Sequence, residues 1–118
     1  MDLVAFGLLQ ADEIPCMTVA EQIAQKLHAV SDPNEDRPRD LVDIYLLDAR
    51  LRPPDAELLG QCVQTFQLRA THPWPPNIEL RDDWARQLRE ILDRLEPSLT
   101  IDEILHDVRT IVARLQSL

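Results

Sequence analysis

Residues 18–47 constrain this chain most: two helical periods of apolar residues flank a polar loop, with the only lysine on the first and two aspartates, Asp40 and Asp43, on the second. Thr18 followed by Glu21 is a capping box and starts the first helix. Val19, Ile23, Leu27 and Val30 then share a stripe that Ala20 and Ala24 widen. Lys26 stands at the border of that stripe. Its stem can lie along the apolar rim with the ammonium in water, or the ammonium can point into a cleft and hold an anion such as phosphate. His28 is expected on the polar face, solvated. After the loop, Asp36 is expected to cap the second helix, with Arg37 and Pro38 in its first turn, where proline is tolerated. Leu41, Val42, Ile44, Tyr45, Leu46, Leu47 and Ala49 cover most of that helix, so it should be central. Asp40 and Asp43 share its narrow polar sector. Aspartate is a poor helix-interior residue and is rarely buried, so the pair requires a reason. One is a structural ion-pair cluster with Arg37, Arg39 or Lys26; the other is a site.

Upstream, residues 2–7 and 14–17 have the apolar, partly β-branched character of short strands. Two strands alone are marginal in water, so they are expected to complete a sheet begun in a preceding polypeptide, or to pair with another chain. The alternative is an irregular arm lying on the helices. Downstream, Arg52-Pro53-Pro54-Asp55 breaks the second helix and Asp55 is expected to cap the third. Leu58, Leu59, Cys62, Val63 and Phe66 give that helix a buried face up to about Arg69. Prolines force residues 71–77 to be extended, with Trp74 filling a gap and His72 packing or hydrogen-bonding. A fourth helix is expected from Leu80 to Leu95 on a stripe of Leu80, Trp84, Leu88, Ile91 and Leu95. Thr100 with Glu103 forms a second capping box, stapled by Leu99 and Ile104. Ile101, Ile104, Leu105, Val108, Ile111, Val112 and Leu115 then form a stripe that packs on the bundle or, less commonly, makes a dimer seam. His106 reads as solvated. The expected fold is mainly α: a bundle of about five helices over residues 18–118, preceded by a two-strand β arm over residues 1–17.

A net charge of −9 and a pI near 4.6 repel a phosphate backbone, so any nucleic-acid contact needs a local basic patch. No apolar run reaches the ~20 residues of a membrane span and no signal peptide is evident, which points to the cytoplasm. Cys16 and Cys62 are isolated and read as buried, reduced thiols. With two glycines in the chain, a phosphate-binding P-loop and a dinucleotide fingerprint are excluded.

The run A-E-Q-I-A-Q-K-L-H-A-V followed by R-P-R-D-L-V-D-I-Y-L-L resembles the A-E-K-L-H-A and R-x-K-D-x-x-D motifs of the AbiEii/AbiGii-type nucleotidyltransferase toxins. T-F-Q-L-R-A-T-H-P-W-P, from Thr65, is similar to that family's T-F-x-x-R-x-T-H-P-x-P segment, and the likeness continues through Trp84-Ala85. It covers nearly the whole chain and is to the C-terminal half of such proteins. Their N-terminal half is a polymerase-β-like domain with a Gly-Ser motif and a D-x-D metal motif, neither of which occurs in these 118 residues.

The resemblance implies that Lys26 contacts nucleotide phosphates and that Asp40 is an essential acidic residue. Asp43 is then the second acidic position, Arg39 stands where the pattern has lysine, and Arg37 supports them. Asp2 is a weak match to the third carboxylate of a nucleotidyltransferase sheet. The A-E-K run is stretched here at Gln22 and Gln25, with the lysine kept in phase. The implied chemistry is transfer of a nucleotide from an NTP to an acceptor, in some members the 3′ end of tRNA, with Mg²⁺ on the triphosphate. For this chain alone no Mg²⁺ or NTP is expected, and it should be inactive. Expected partners are the missing nucleotidyltransferase half, a cognate antitoxin, or a second copy through the orphan strands. Contact with tRNA is expected only in an intact enzyme. The alternative is a stand-alone helical interaction or regulatory module.

Overall fold

The computed structural model describes residues 17–118. The expected strand arm, Asp2 and Cys16 lie outside the described residues, apart from Met17, which belongs to no strand. Five helices follow: α1 (Val19–Ser31), α2 (Arg39–Leu51), α3 (Asp55–Arg69), α4 (Trp84–Leu95) and α5 (Ile101–Gln116). Among the described residues none is long and apolar enough to cross a membrane.

Both capping boxes form. The Thr18 hydroxyl accepts from the Glu21 amide at 3.0 Å, and Thr100 accepts from Glu103 at 3.1 Å, each glutamate reaching back to the cap's own N–H. These bonds satisfy amides that a helix start would otherwise leave unpaired. Leu99 and Ile104 are both buried, as the staple requires.

The other helix starts differ from expectation. Asp36 does not cap α2; its Oδ1 accepts from the indole Nε1 of Trp84 at 2.6 Å. Pro38 occupies the cap position with helical dihedrals, so α2 begins without a side-chain cap. Asp55 lies inside α3 instead of capping it, and its carboxylate accepts from Arg114 at 3.0 Å. In both cases a tertiary partner outcompetes the local amide for the carboxylate. Helix α4 starts at Trp84, not Leu80, because Asp83 has a left-handed backbone (φ 69°) that a continuous helix cannot include. Leu95 is half exposed and Leu92 takes the buried place expected of it.

Helix α2 is central as expected, touching α1, α4 and α5. Leu41, Val42, Ile44 and Leu47 are buried, whereas Ala49 is exposed. α1 packs on α2 and α3 through Ala20, Ile23, Ala24, Leu27 and Val30. The α5 stripe lies on α2, α3 and α4, with Ile104, Val108, Ile111 and Leu115 sealed. Arg114 ties α5 to Asp55 of α3 and, at 3.5 Å, to Asp48 of α2.

Cys62 is a free, fully buried thiol, pushed by burial up to about 12. It behaves as a small apolar side chain of the core, as expected.

Truncating Ile104 to alanine opens a hole at the α5 contact and should cost about 2–5 kcal/mol, against about 1 kcal/mol for Thr100→Ala. Urea unfolding monitored by circular dichroism checks both values and their order.

Candidate functional site

Lys26 is carried two turns into α1, and Asp40 and Asp43 lie on the face of α2 that meets it. The Lys26 Nζ sits 3.3 Å from Oδ1 of Asp40 and 3.1 Å from Oδ2 of Asp43. Arg37 Nη2 stands 3.5 Å from Oδ2 of Asp40, and Arg39 Nε 3.7 Å from Oδ1 of Asp43. The structure thus brings together five of the residues singled out in the sequence.

Asp40 is 3% exposed and its Oδ2 accepts no hydrogen bond, since Arg37 approaches without donating to it. A buried carboxylate with an unfilled lone pair is costly, and the neighbouring ammonium offsets part of that cost. The Lys26 side chain keeps 27% of its surface, so the cluster lies at the edge of the bundle, not beneath it. Arg37 and Arg39 are about half exposed. Three cations face two carboxylates here, a local positive excess in a chain of net charge −9.

The pair does not fit a magnesium ion. Among the described residues no group of three or more His, Cys, Asp or Glu side chains is placed to hold a metal. Mg²⁺ requires near-octahedral oxygen ligands, whereas Asp40 and Asp43 face ammonium and guanidinium groups. Two surface hollows of about 360 and 350 Å³ have other linings: one includes Tyr45, Arg50 and Glu103, the other Asp36, Arg81 and Trp84.

His28 is not solvated. It is 3% exposed, its Nε2 lies 2.9 Å from the Thr71 hydroxyl, and its ring packs against Phe66 and His72. The sequence did carry a signal for this: Ala20, Ala24 and His28 follow one another at helical spacing, and all three are buried. His72 packs and hydrogen-bonds as expected, with Nε2 2.7 Å from the Ser31 hydroxyl. Trp74 rests edge-on against Phe66. His106 is exposed, as expected.

Burial pushes the Asp40 carboxyl above its ordinary value of 3.8, and the charges of Lys26 and Arg37 restrain the rise. An acid whose folded pKa is raised binds its proton more tightly folded than unfolded. Its stabilising contribution is therefore complete below 3.8 and is lost as pH rises through the folded midpoint. Replacing Lys26 by methionine removes one restraint, so Asp40 should titrate at higher pH than in the unsubstituted protein. Carbon-detected NMR of the carboxyl checks this; an unmoved midpoint would show that ammonium and carboxylate are uncoupled.

No curated protein matches the chain. A family profile described as Nucleotidyl transferase AbiEii toxin, Type IV TA system, matches residues 3–114. That span holds α1 to α4, the Lys26–Asp40–Asp43 cluster and nearly all of α5. The motif resemblance and the profile agree on the same helices, and the chain belongs to the AbiEii nucleotidyltransferase toxin family of type IV toxin–antitoxin systems.

Proposed function

We propose that this chain supplies the helical side of a composite nucleotidyl-transfer site. In this reading Lys26 binds the phosphates of a nucleoside triphosphate and Asp40 is the acidic site residue, with Asp43, Arg39 and Arg37 in support. The observation that carries the reading is that α1 and α2 hold an ammonium 3.3 Å from a buried carboxylate while leaving Lys26 partly open to solvent. Lys26 can turn from the aspartates to a phosphate, and Arg37 and Arg39 remain beside the two carboxylates it leaves. Charge stabilisation of this kind acts on the oxygens of the transferring phosphoryl group.

The Gly-Ser and D-x-D motifs do not occur in the 118 residues. The Mg²⁺ that aligns the triphosphate therefore belongs with carboxylates outside the α1–α2 cluster, on a nucleotidyltransferase half that we take to be a separate stretch of polypeptide. The helical chain is inactive without it. With it, contact with tRNA, the acceptor in some members of the family, becomes open to the intact enzyme, the setting is the cytoplasm and the partner in regulation is a cognate antitoxin.

The test is to combine the chain with a Gly-Ser/D-x-D nucleotidyltransferase domain and follow transfer of a labelled nucleotide to tRNA. Transfer should require both parts, and Lys26→Ala should lower it about 10²-fold, the loss typical when one transition-state donor is removed. Unchanged transfer by Lys26→Ala would overturn the assignment.

The same contacts favour a second reading, a stand-alone helical interaction module in which Lys26 only joins α1 to α2. A purely structural lysine would cost about 2–3 kcal/mol of stability when removed, through two carboxylates left short of a partner. Such a module would give no transfer with the nucleotidyltransferase domain, with lysine or alanine at position 26, so urea unfolding and the transfer assay separate the two.

A further inference from the structure

The region between α3 and α4 is held to α1 by a pair of histidines that the transfer site does not use. His28 and His72 have ring centroids 4.5 Å apart, and the Phe66 ring is steeply inclined to both, at 4.9 and 5.1 Å. His28 contacts the Thr71 hydroxyl, and His72 contacts the Ser31 hydroxyl. Each histidine therefore crosses to the other's segment, α1 to loop and loop to α1.

The hydrogen-bond inventory assigns the protons. Ser31 has one hydroxyl hydrogen, which is donated to the Leu27 carbonyl at 2.7 Å. Its oxygen is then left to accept from His72, which places the ring hydrogen of His72 on Nε2. The buried Nδ1 of His72 has no partner, so a second ring proton there would have no acceptor. His28 is disfavoured as a cation. Burial is the largest cause, and His72 on the loop and Arg69 on α3 add to it. Asp32 at the end of α1 and Glu35 beyond it act in the opposite sense, without reversing the direction.

We propose that the His28–His72 ring pair is an acid-released latch, closed while His28 is neutral, that fastens residues 70–77 to α1 and α3. Protonation of His28 sets a cation against the His72 ring, 4.5 Å away, in a buried place that disfavours charge. The loop then leaves α1 while the α1–α2–α5 core stays closed. A base whose folded pKa is lowered stabilises the closed form above its ordinary value, and that contribution is lost as pH falls below 6.5 towards the folded value.

His106→Gln leaves only this pair in a chain of three histidines, and NMR can then read tautomer, titration and packing together. In the closed form the ring hydrogen of His72 should sit on Nε2. On acidification, the cross-peaks joining Phe66 to His72 and to Trp74 should vanish in step with protonation of His28, while those within the α2–α5 core persist. In Thr71→Val, which keeps both imidazoles and removes one crossing contact, the same loss should come at higher pH. Cross-peaks that persist after His28 is protonated would overturn the latch, as would a His72 ring hydrogen on Nδ1 in the closed form. Loss of the core cross-peaks at the same pH would also overturn it, since the event would then be global unfolding.

Discussion

One ammonium lodged between two aspartates of the neighbouring helix is the interaction on which the arrangement of α1 and α2 depends. Burying Asp40 on a central helix is unfavourable unless a cation accompanies it, and only α1 brings a lysine to that depth. The requirement fixes the rotation of both helices. Lys26 must face α2, which sends Ile23, Leu27 and Val30 into the core and carries His28 round to the α3 side. A polar contact at the rim and an apolar seam beneath it thus specify the same packing, a consistency across levels that favours a single fold.

The same geometry suits a site in the proposed composite enzyme. A lysine fully sealed in the bundle could not reach a ligand, and one wholly in solvent would lack a defined direction. Lys26 lies between these limits, aimed by two carboxylates and still partly accessible. Arg37 and Arg39 add charge at the surface in flexible, half-exposed form. Three cations thus stand against two carboxylates on an acidic protein, the local charge that the proposed phosphate role requires.

Away from that spot, arginines do much of the joining between elements. Arg81 donates to the backbone carbonyls of Val30, Asp32 and Glu35 and lies over the Trp84 ring, so it closes the end of α1 and positions the start of α4 together. Arg109 reaches the Ile78 carbonyl, and Arg89 those of Pro97 and Leu99. These bonds occupy carbonyls in connecting segments that no helix satisfies.

The sequence alone determined the five helical periods, both capping boxes and the proline-stiffened crossing, each of which depends on spacings of a few residues. It left Arg37, Arg39 and Lys26 open as partners of Asp40 and Asp43, and the packing of α1 on α2 brought all three to them. Tertiary structure alone decided which hydrogen bond each acidic loop residue makes. Asp36 and Asp55 had suitable local amides, yet Trp84 and Arg114, distant in the chain, arrive as stronger donors once the helices pack. It also decided what satisfies His28, whose inward direction Ala20 and Ala24 on the same face of α1 already signal. Phe66, Thr71 and His72 come from another helix and its loop, and only their arrival makes the inward position a satisfied one.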